Sequence, residues 1–365
     1  MILHFLGDSV YSDKFIQYVN ENFNSQKTHK FIIISSCDIK YIKQTTNVVK
    51  KQVSSSLQSI IFIRKIFKQE APNKIFLHFL SDVHLYPILF ANKRIVTYWV
   101  AWGGDIYSYV DWQLYDDETT QYISSLNVKK TIKQKILEEF RRIAIKKINY
   151  IAINETEFNI IKRFFKTKAK RVNFKYPNPM SELGLDIPVK KNNDEKIILL
   201  GNSADPSNNH LSIIKKLKNL NCNYKVLVPL SYGNNKNYIE AVRKTGAELL
   251  GSHFVPLLDF MKADDYAKLL LTVDVAIMNH YRQQGAGNLR ILLSYGKKVY
   301  LNENNPLYHY FTAEGMQLSK IEDCKFDKSV FEEYSDDIKE QNKIAIQELY
   351  SQDKVYTYMK ELFND

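Results

Sequence analysis

Short apolar runs alternate with amphipathic stretches along this chain, and the alternation occurs twice, once on each side of a proline cluster. In the first half, residues 2–6, 31–34, 75–80, 95–100 and 150–153 read as buried strands, with helical patterns at 12–23, 53–67, 86–92 and 130–148. Apolar strands separated by helices are the pattern of a parallel sheet covered on both faces. Pro177, Pro179 and Pro188, followed by the polar run 190–194, read as a linker. Beyond it, strands are expected at 197–200, at 224–228 and from Leu249 and Leu250 onward, with helices at 207–217, 235–245 and 263–271. A chain of 365 residues exceeds one ordinary core. The expected architecture is therefore α/β, with one doubly wound domain over 1–180 and a second over 181–334. A Glu- and Lys-rich helical segment over 335–365 is expected to pack back on the first domain.

Composition narrows the class. Cys37, Cys222 and Cys324 lie far apart with no C-x-x-C spacing, which argues against a disulfide framework and a structural zinc site. Residues 1–6 are apolar for too short a run to be a secretory signal, and no run approaches the roughly 20 apolar residues of a membrane span. The formal charge is +11, and residues 129–175 alone hold fifteen Lys or Arg against four Glu, an excess equal to the whole. Within that segment Ile132, Ile136, Phe140, Ile143 or Ala144, and Ile148 recur at helical spacing, with Lys133, Lys135, Arg141, Arg142, Lys146 and Lys147 around them. Such a helix fits an apolar face on a core with a solvated basic face, or an anionic membrane surface. Nucleic acid is not expected, because no recognised binding module accompanies the charge.

In a doubly wound sheet, ligands sit beyond the carboxyl ends of strands. The apolar run 273–278 leads into His280-Tyr281-Arg282-Gln283-Gln284-Gly285-Ala286-Gly287-Asn288 and then a helical pattern. A Gly-containing loop before a helix presents backbone N–H groups and a positive dipole end to phosphate, and Arg282 adds charge. The strand at 197–200 leads into Gly201-Asn202-Ser203-Ala204-Asp205-Pro206-Ser207, where Ser207 reads as the N-cap of the next helix. Two phosphate-competent loops in one sheet make a nucleotide diphosphate the economical ligand. Tyr232, in the next loop, is placed to stack on a base, and Glu303, after the strand that begins at Lys298, to accept hydroxyls of a sugar or ribose. Neither a P-loop G-K-[ST] nor G-x-G-x-x-G after the first strand is present, which disfavours P-loop and dinucleotide enzymes.

In the first half, Trp99 to Tyr107 contains Trp102-Gly103-Gly104-Asp105 at a strand end. Aromatic rings beside a carboxylate suit a sugar site, since rings cover C–H faces while the acid holds or deprotonates a hydroxyl. Trp99 and Trp102 fit a core equally well. Asp105 is the first candidate base, and Asp8, at the end of the first strand, the second. His78, Asp82 and His84 form a further polar strand end.

These motifs carry a family resemblance. Trp102–Tyr107 (W-G-G-D-I-Y), 199–210 (L-L-G-N-S-A-D-P-S-N-N-H), 228–240 (V-P-L-S-Y-G-N-N-K-N-Y-I-E), 282–287 (R-Q-Q-G-A-G) and 301–306 (L-N-E-N-N-P) stand in one order over roughly two hundred residues. Together they resemble the 4-acetamido-4,6-dideoxygalactose (Fuc4NAc) transferases of enterobacterial common antigen synthesis, glycosyltransferase family 56. The resemblance implies a GT-B fold, two Rossmann-like domains with the active site in the cleft between them. It implies a dTDP-sugar donor, held by Gly201, Asn202, Ser203, Asp205, Tyr232, Arg282, Gln283, Gln284, Gly285, Gly287, Asn288 and Glu303. It further implies an undecaprenyl-diphosphate-linked saccharide acceptor, met by Trp102, Gly103, Gly104 and His84 at the cytoplasmic face of the inner membrane, which the basic 129–175 segment approaches. No D-x-D motif suggests a metal, so no metal or other cofactor is expected. The alternatives are a GT-B nucleotide-sugar enzyme with a soluble acceptor, such as an epimerase, and a non-catalytic nucleotide-sugar-binding scaffold.

Overall fold

A computed structural model describes residues 1–23, 28–126, 131–177, 195–233 and 235–364. They form two compact units, one of Met1–Asp111, Lys129–Ser181 and Tyr350–Asp365, the other of Trp112–Val128 and Glu182–Leu349.

The first unit is a parallel seven-stranded sheet: β1 (Ile2–Leu6), β2 (His29–Ser35), β3 (Val48–Gln52), β4 (Lys74–His78), β5 (Val96–Val100), β6 (Tyr150–Ala152) and β7 (Lys170–Val172). Their order is β3-β2-β1-β4-β5-β6-β7. All residues of β1 and β4 are buried, which is why both read as mainly apolar runs, with His4 inside one and Lys74 and His78 at the ends of the other. The edge strands β3 (VVKKQ) and β7 (KRV) are half exposed and carry lysine and arginine, so no apolar run announced them. Leu3 pairs with both Lys30 and Ile75, so the strand order reverses between β1 and β4.

The second unit is a parallel six-stranded sheet: β8 (Lys196–Leu200), β9 (Tyr224–Pro229), β10 (Phe254–Leu257), β11 (Val275–Met278), β12 (Lys298–Leu301) and β13 (Ser319–Lys320). The order β10-β9-β8-β11-β12-β13 reverses between β8 and β11. Leu200, Ile214, Val226, Tyr238 and Ile277 belong to its core. The helix Lys236–Leu250 takes in Leu249 and Leu250, so the strand expected there begins only at Phe254. Gly246 makes this junction possible, because a Cβ there would lie 2.3 Å from the Phe254 ring.

Other expectations change for local reasons. Asp205, not Ser207, caps the turn after β8: it accepts the Ser207 N–H at 2.9 Å and opens a short 3₁₀ turn, Pro206–Asn208. The α-helix starts at His210, after Asn209 takes a left-handed conformation. The C-terminal pattern is two helices rather than one. Asp336–Leu349 belongs to the second unit, where Asn342 exchanges two hydrogen bonds with the Gln317 backbone. Gln352–Asn364 belongs to the first, where it inserts Val355, Met359, Leu362 and Phe363 into the core. Each such side chain contributes roughly 1.5–3 kcal/mol when fully buried. Residues 112–128, expected within the first domain, fold into the second unit. Of the expected linker, Pro179, Pro188 and 190–194 lie outside the described residues, as do Lys129 and Lys130 of the basic segment.

The basic helix, Ile132–Ile145, opens with a capping box between Thr131 and Gln134. Its expected core face is turned the other way. Arg141, Ala144 and Ile145 are buried, whereas Ile132 (78% exposed), Ile136 (65%), Phe140 (38%) and Ile143 (53%) face solvent. Arg141 fastens the helix: its guanidinium donates to the Leu80 carbonyl, to Asp82 Oδ1 (2.7 Å) and to the Tyr109 hydroxyl (3.1 Å), and lies 3.7 Å over the Tyr109 ring.

Candidate functional site

In the second unit, the loops leaving β8 and β11 meet where the strand order reverses, the position at which open α/β sheets bind ligands. Their side chains are knitted together. Gln284 Nε2 donates to Asn202 Oδ1 (3.1 Å), and His280 Nε2 lies 2.9 Å from Asn208 Oδ1, which also accepts the Asn202 N–H (2.8 Å). Ser207 Oγ lies 2.6 Å from Asp205 Oδ1 and 2.9 Å from Gln284 Oε1, and accepts from Arg282 Nε at 2.9 Å. Arg282 also donates to the Gln283 carbonyl (3.2 Å) and faces Asp205 at 3.7 Å. Its partners are therefore mostly neutral, and among the described residues the carboxylate facing its cation is the half-exposed Asp205. Burial holds His280 and His210 neutral, His210 at about 3.

The backbone completes the cradle. Gly201 (φ +70°) has no room for a side chain: a Cβ would lie 2.6 Å from both Asn208 Oδ1 and His210 Nε2. Gly285 is left-handed and starts the helix Ala286–Ser294, whose first internal bond runs from the Leu289 N–H to the Gly285 carbonyl (3.0 Å). Ala286, Gly287 and Asn288 thus supply the N–H groups of an open first turn.

The remaining donor-side candidates fall apart from this cluster. Asn288 gives its amide to the Tyr266 hydroxyl (2.8 Å). Tyr232 stands 74% exposed, while its carbonyl holds the Ala204 N–H at 2.7 Å. The Glu303 carboxylate is paired with Lys320 at 3.0 Å, so it is not an unengaged acceptor for sugar hydroxyls. Residues 112–116, which no sequence signal singled out, brace the loops from behind. Trp112 Nε1 donates to the Tyr281 carbonyl (2.7 Å), and the Asp116 carboxylate accepts from Ser212 and from Asn279 Nδ2 (3.1 Å).

In the first unit, the residues read as an acceptor site are largely closed in. Asp105 is fully buried and accepts from the Leu80 N–H (2.7 Å), the Trp99 indole N–H (2.7 Å) and the Trp102 N–H (2.9 Å). Burial pushes its carboxyl above the ordinary carboxylate value, against those three donors. It clasps the Trp102-Gly103-Gly104 loop, so its carboxylate would have to be uncovered before it could meet an acceptor hydroxyl. Asp8 accepts the N–H groups of Lys40 (2.7 Å), Tyr41 (3.0 Å) and Ile42 (3.2 Å), pinning the loop after β2. His84 is buried, bonded to the Phe79 carbonyl and held down at about 4 by burial. Trp102 remains partly exposed, packed edge-on against Tyr11.

Behind that loop runs a hydrogen-bonded chain. Trp102 Nε1 donates to the Tyr176 hydroxyl (3.2 Å), which bonds His78 Nδ1. His78 Nε2 lies 3.1 Å from His4 Nδ1, and His4 Nε2 2.9 Å from His29 Nδ1. The indole N–H donates to the tyrosine oxygen, and the direction of each later hydrogen bond follows from the imidazole tautomers. Burial depresses all three imidazoles, His29 to about 4, so the chain is neutral. The signal for it was a histidine in each of two mainly apolar strands, ILHFL and KIFLH.

The profile of the family described as 4-alpha-L-fucosyltransferase, glycosyl transferase group 56, matches residues 2–352. Several solved structures share the fold at low identity. Alpha,alpha-trehalose-phosphate synthase (UDP-forming) from Burkholderia vietnamiensis superposes with a TM-score of 0.67 at 9% identity over 100% of both chains. Sucrose-phosphate synthase from Thermosynechococcus elongatus gives 0.66 at 10% identity, over 100% of this chain and 98% of that one. A glycosyltransferase from Rickettsia africae gives 0.61 at 12%, over 100% and 97%. The fold is therefore GT-B.

Proposed function

The chain belongs to glycosyltransferase group 56, and from that premise we propose that it moves an acetamido-dideoxyhexose such as Fuc4NAc from a dTDP-sugar to an undecaprenyl-diphosphate-linked saccharide. The observation that carries the donor half is the joined pair of loops after β8 and β11. A guanidinium and an open helix N-terminus stand together there, at the strand-order reversal of one sheet. In this reading the diphosphate lies across the N–H groups of Ala286 to Asn288, with Arg282 beside it. Gly201, Asn202, Ser203, Gln283, Gln284 and Gly285 shape the cradle, and Asp205 orients Arg282.

In the proposed step, the bond between the sugar C1 and the leaving phosphate oxygen breaks, and a bond from the acceptor oxygen to C1 forms. Charge grows on the departing diphosphate, and fixed donors aimed at it stabilise the transition state without reorganising. Arg282 and the first-turn N–H groups supply that stabilisation, with no metal in the step. The acceptor proton needs a destination. Asp105 is buried and Asp8 already accepts three N–H groups, so in this reading the departing phosphate oxygen takes that proton. The partly exposed Trp102 then offers a ring face to the acceptor sugar.

The test is a thermal-shift screen of the intact protein with dTDP, UDP, GDP and CMP, followed by transfer from a dTDP-sugar to a lipid-linked saccharide. A ligand bound to the native state raises its apparent stability. The expected result is a shift with dTDP that exceeds the others. A larger shift with another nucleotide overturns the donor assignment, and binding without consumption in the presence of acceptor overturns the transferase reading in favour of a scaffold.

A further inference from the structure

We propose that the solvent face of the helix Ile132–Ile145 docks the protein on an anionic lipid bilayer, lying in the interface with Ile132, Ile136, Phe140 and Ile143 inserted among the acyl chains. At about 100° per residue, these four positions form one stripe, roughly opposite the buried Arg141, Ala144, Ile145 and Ile148. The helix therefore has an apolar side that its own fold does not use. Lys133 flanks the stripe on one edge, and Lys135, Arg142 and Lys146 on the other, all exposed. Glu139, the acid beside the stripe, is paired with Arg142 at 3.5 Å. A stripe bordered on both edges by lysine and arginine complements acyl chains below and anionic headgroups alongside.

The surroundings extend the surface. The helix Ser56–Glu70 exposes Leu57 and Ile61, and both it and Ile132–Ile145 pack beside the helix Leu85–Phe90. Each of the two longer helices leads into a strand of the parallel sheet, so both start at its carboxyl edge, the edge that bears the Trp102 loop. Exposed Tyr41 and Phe79 sit in loops of that same edge. The apolar surface of this unit is thus gathered near the loop assigned to the acceptor. Only the purpose of the contact rests on the lipid-linked acceptor; its existence does not.

The experiment is co-sedimentation of the full chain with vesicles of phosphatidylethanolamine and phosphatidylglycerol, against vesicles of phosphatidylcholine alone. Ile136→Ser/Phe140→Ser and Lys133→Glu/Lys135→Glu are carried in parallel, with thermal unfolding as the folding check. The expected result is strong binding to the anionic vesicles, at least tenfold weaker binding to phosphatidylcholine, and at least tenfold loss in each variant with unfolding temperature and dTDP binding unchanged. Phe140→Trp, read against the emission of Trp99, Trp102 and Trp112 in the unsubstituted protein, is expected to add emission that shifts to the blue on the vesicles and is quenched by bromine-labelled acyl chains. Overturning results are equal binding by wild type and variants, no binding to anionic vesicles, or a lipid-free dimer that Ile136→Ser abolishes, which would make a second copy the occupant. Vesicle binding that survives while dTDP binding fails sinks the donor reading and leaves this one standing.

Discussion

The two sheets reverse their strand order in the same way, but the loops at the two reversals hold different chemistry. Beyond β8 and β11 the groups are amides, hydroxyls, two buried imidazoles, one half-exposed carboxylate, one guanidinium and the open start of a helix. Beyond β1, β4 and β5 they are two carboxylates, each already accepting three N–H groups, and a chain of neutral imidazoles. In the first set the Arg282 cation, bonded to neutral groups and facing one half-exposed carboxylate, stands with the open start of a helix; in the second, both carboxylates are ringed by N–H donors. One topology thus carries a cation and a helix N-terminus in one unit and N–H-ringed carboxylates in the other.

The largest expected effect tests the scaffold. His4, His29, His78 and His84 are held neutral by burial in the native state, whereas the unfolded chain binds protons near pH 6.5. The unfolded state therefore takes up more protons on acidification, and stability falls as pH drops from 6.5 toward about 4, where His29 and His84 titrate. Each imidazole removes up to about 1.4 kcal/mol per pH unit. With four such histidines in the first unit against two in the second, hydrogen exchange at pH 5 is expected to speed up in β1 and β4 before β8 and β11. The reverse order breaks the comparison.

Gly201→Ala comes next. The positive φ and the 2.6 Å approach to two polar atoms predict a loss of about 3 kcal/mol by denaturant unfolding. A neutral result would mean that the β8 loop is looser than its contacts imply.

Arg282→Ala is expected to weaken dTDP binding about 10- to 100-fold by calorimetry, the value of a charge-assisted contact. Unchanged affinity would remove the guanidinium from the cradle. The smallest change expected is in Asp105→Asn, which cannot accept all three N–H groups and should lose about 2 kcal/mol of stability. Transfer per folded molecule is expected to persist. A stable Asp105→Asn protein without transfer would return this carboxylate to the role of base.

Much of this was legible in the sequence. The central strands of both sheets announced themselves as apolar runs because they are covered on both faces, and the glycine loops because glycine takes the left-handed conformations at 201 and 285 without strain. The meeting of Asn202 with Gln284 and of Asp205 with Arg282 was expected from two separate loops, since adjacent strands bring their ends together; the part Ser207 plays between them was not. The family, too, was visible in motifs strung in order.

What the tertiary structure decided are the properties that depend on neighbours. Periodicity showed that the helix at 132–145 is amphipathic, but the neighbouring helix and the buried Arg141 decided that the isoleucine stripe faces outward. Composition showed an aspartate after Gly103-Gly104, but only packing showed it sealed against the indole of Trp99. The edge strands and the segment 112–126 left no pattern that was read, because half-exposed strands carry mixed side chains and the nine-residue helix Asp117–Ser125 buries little of its surface. Spacing along a chain reports which face of an element is apolar; which partner covers that face, and whether a polar group has bonding capacity left, is settled only when distant segments meet.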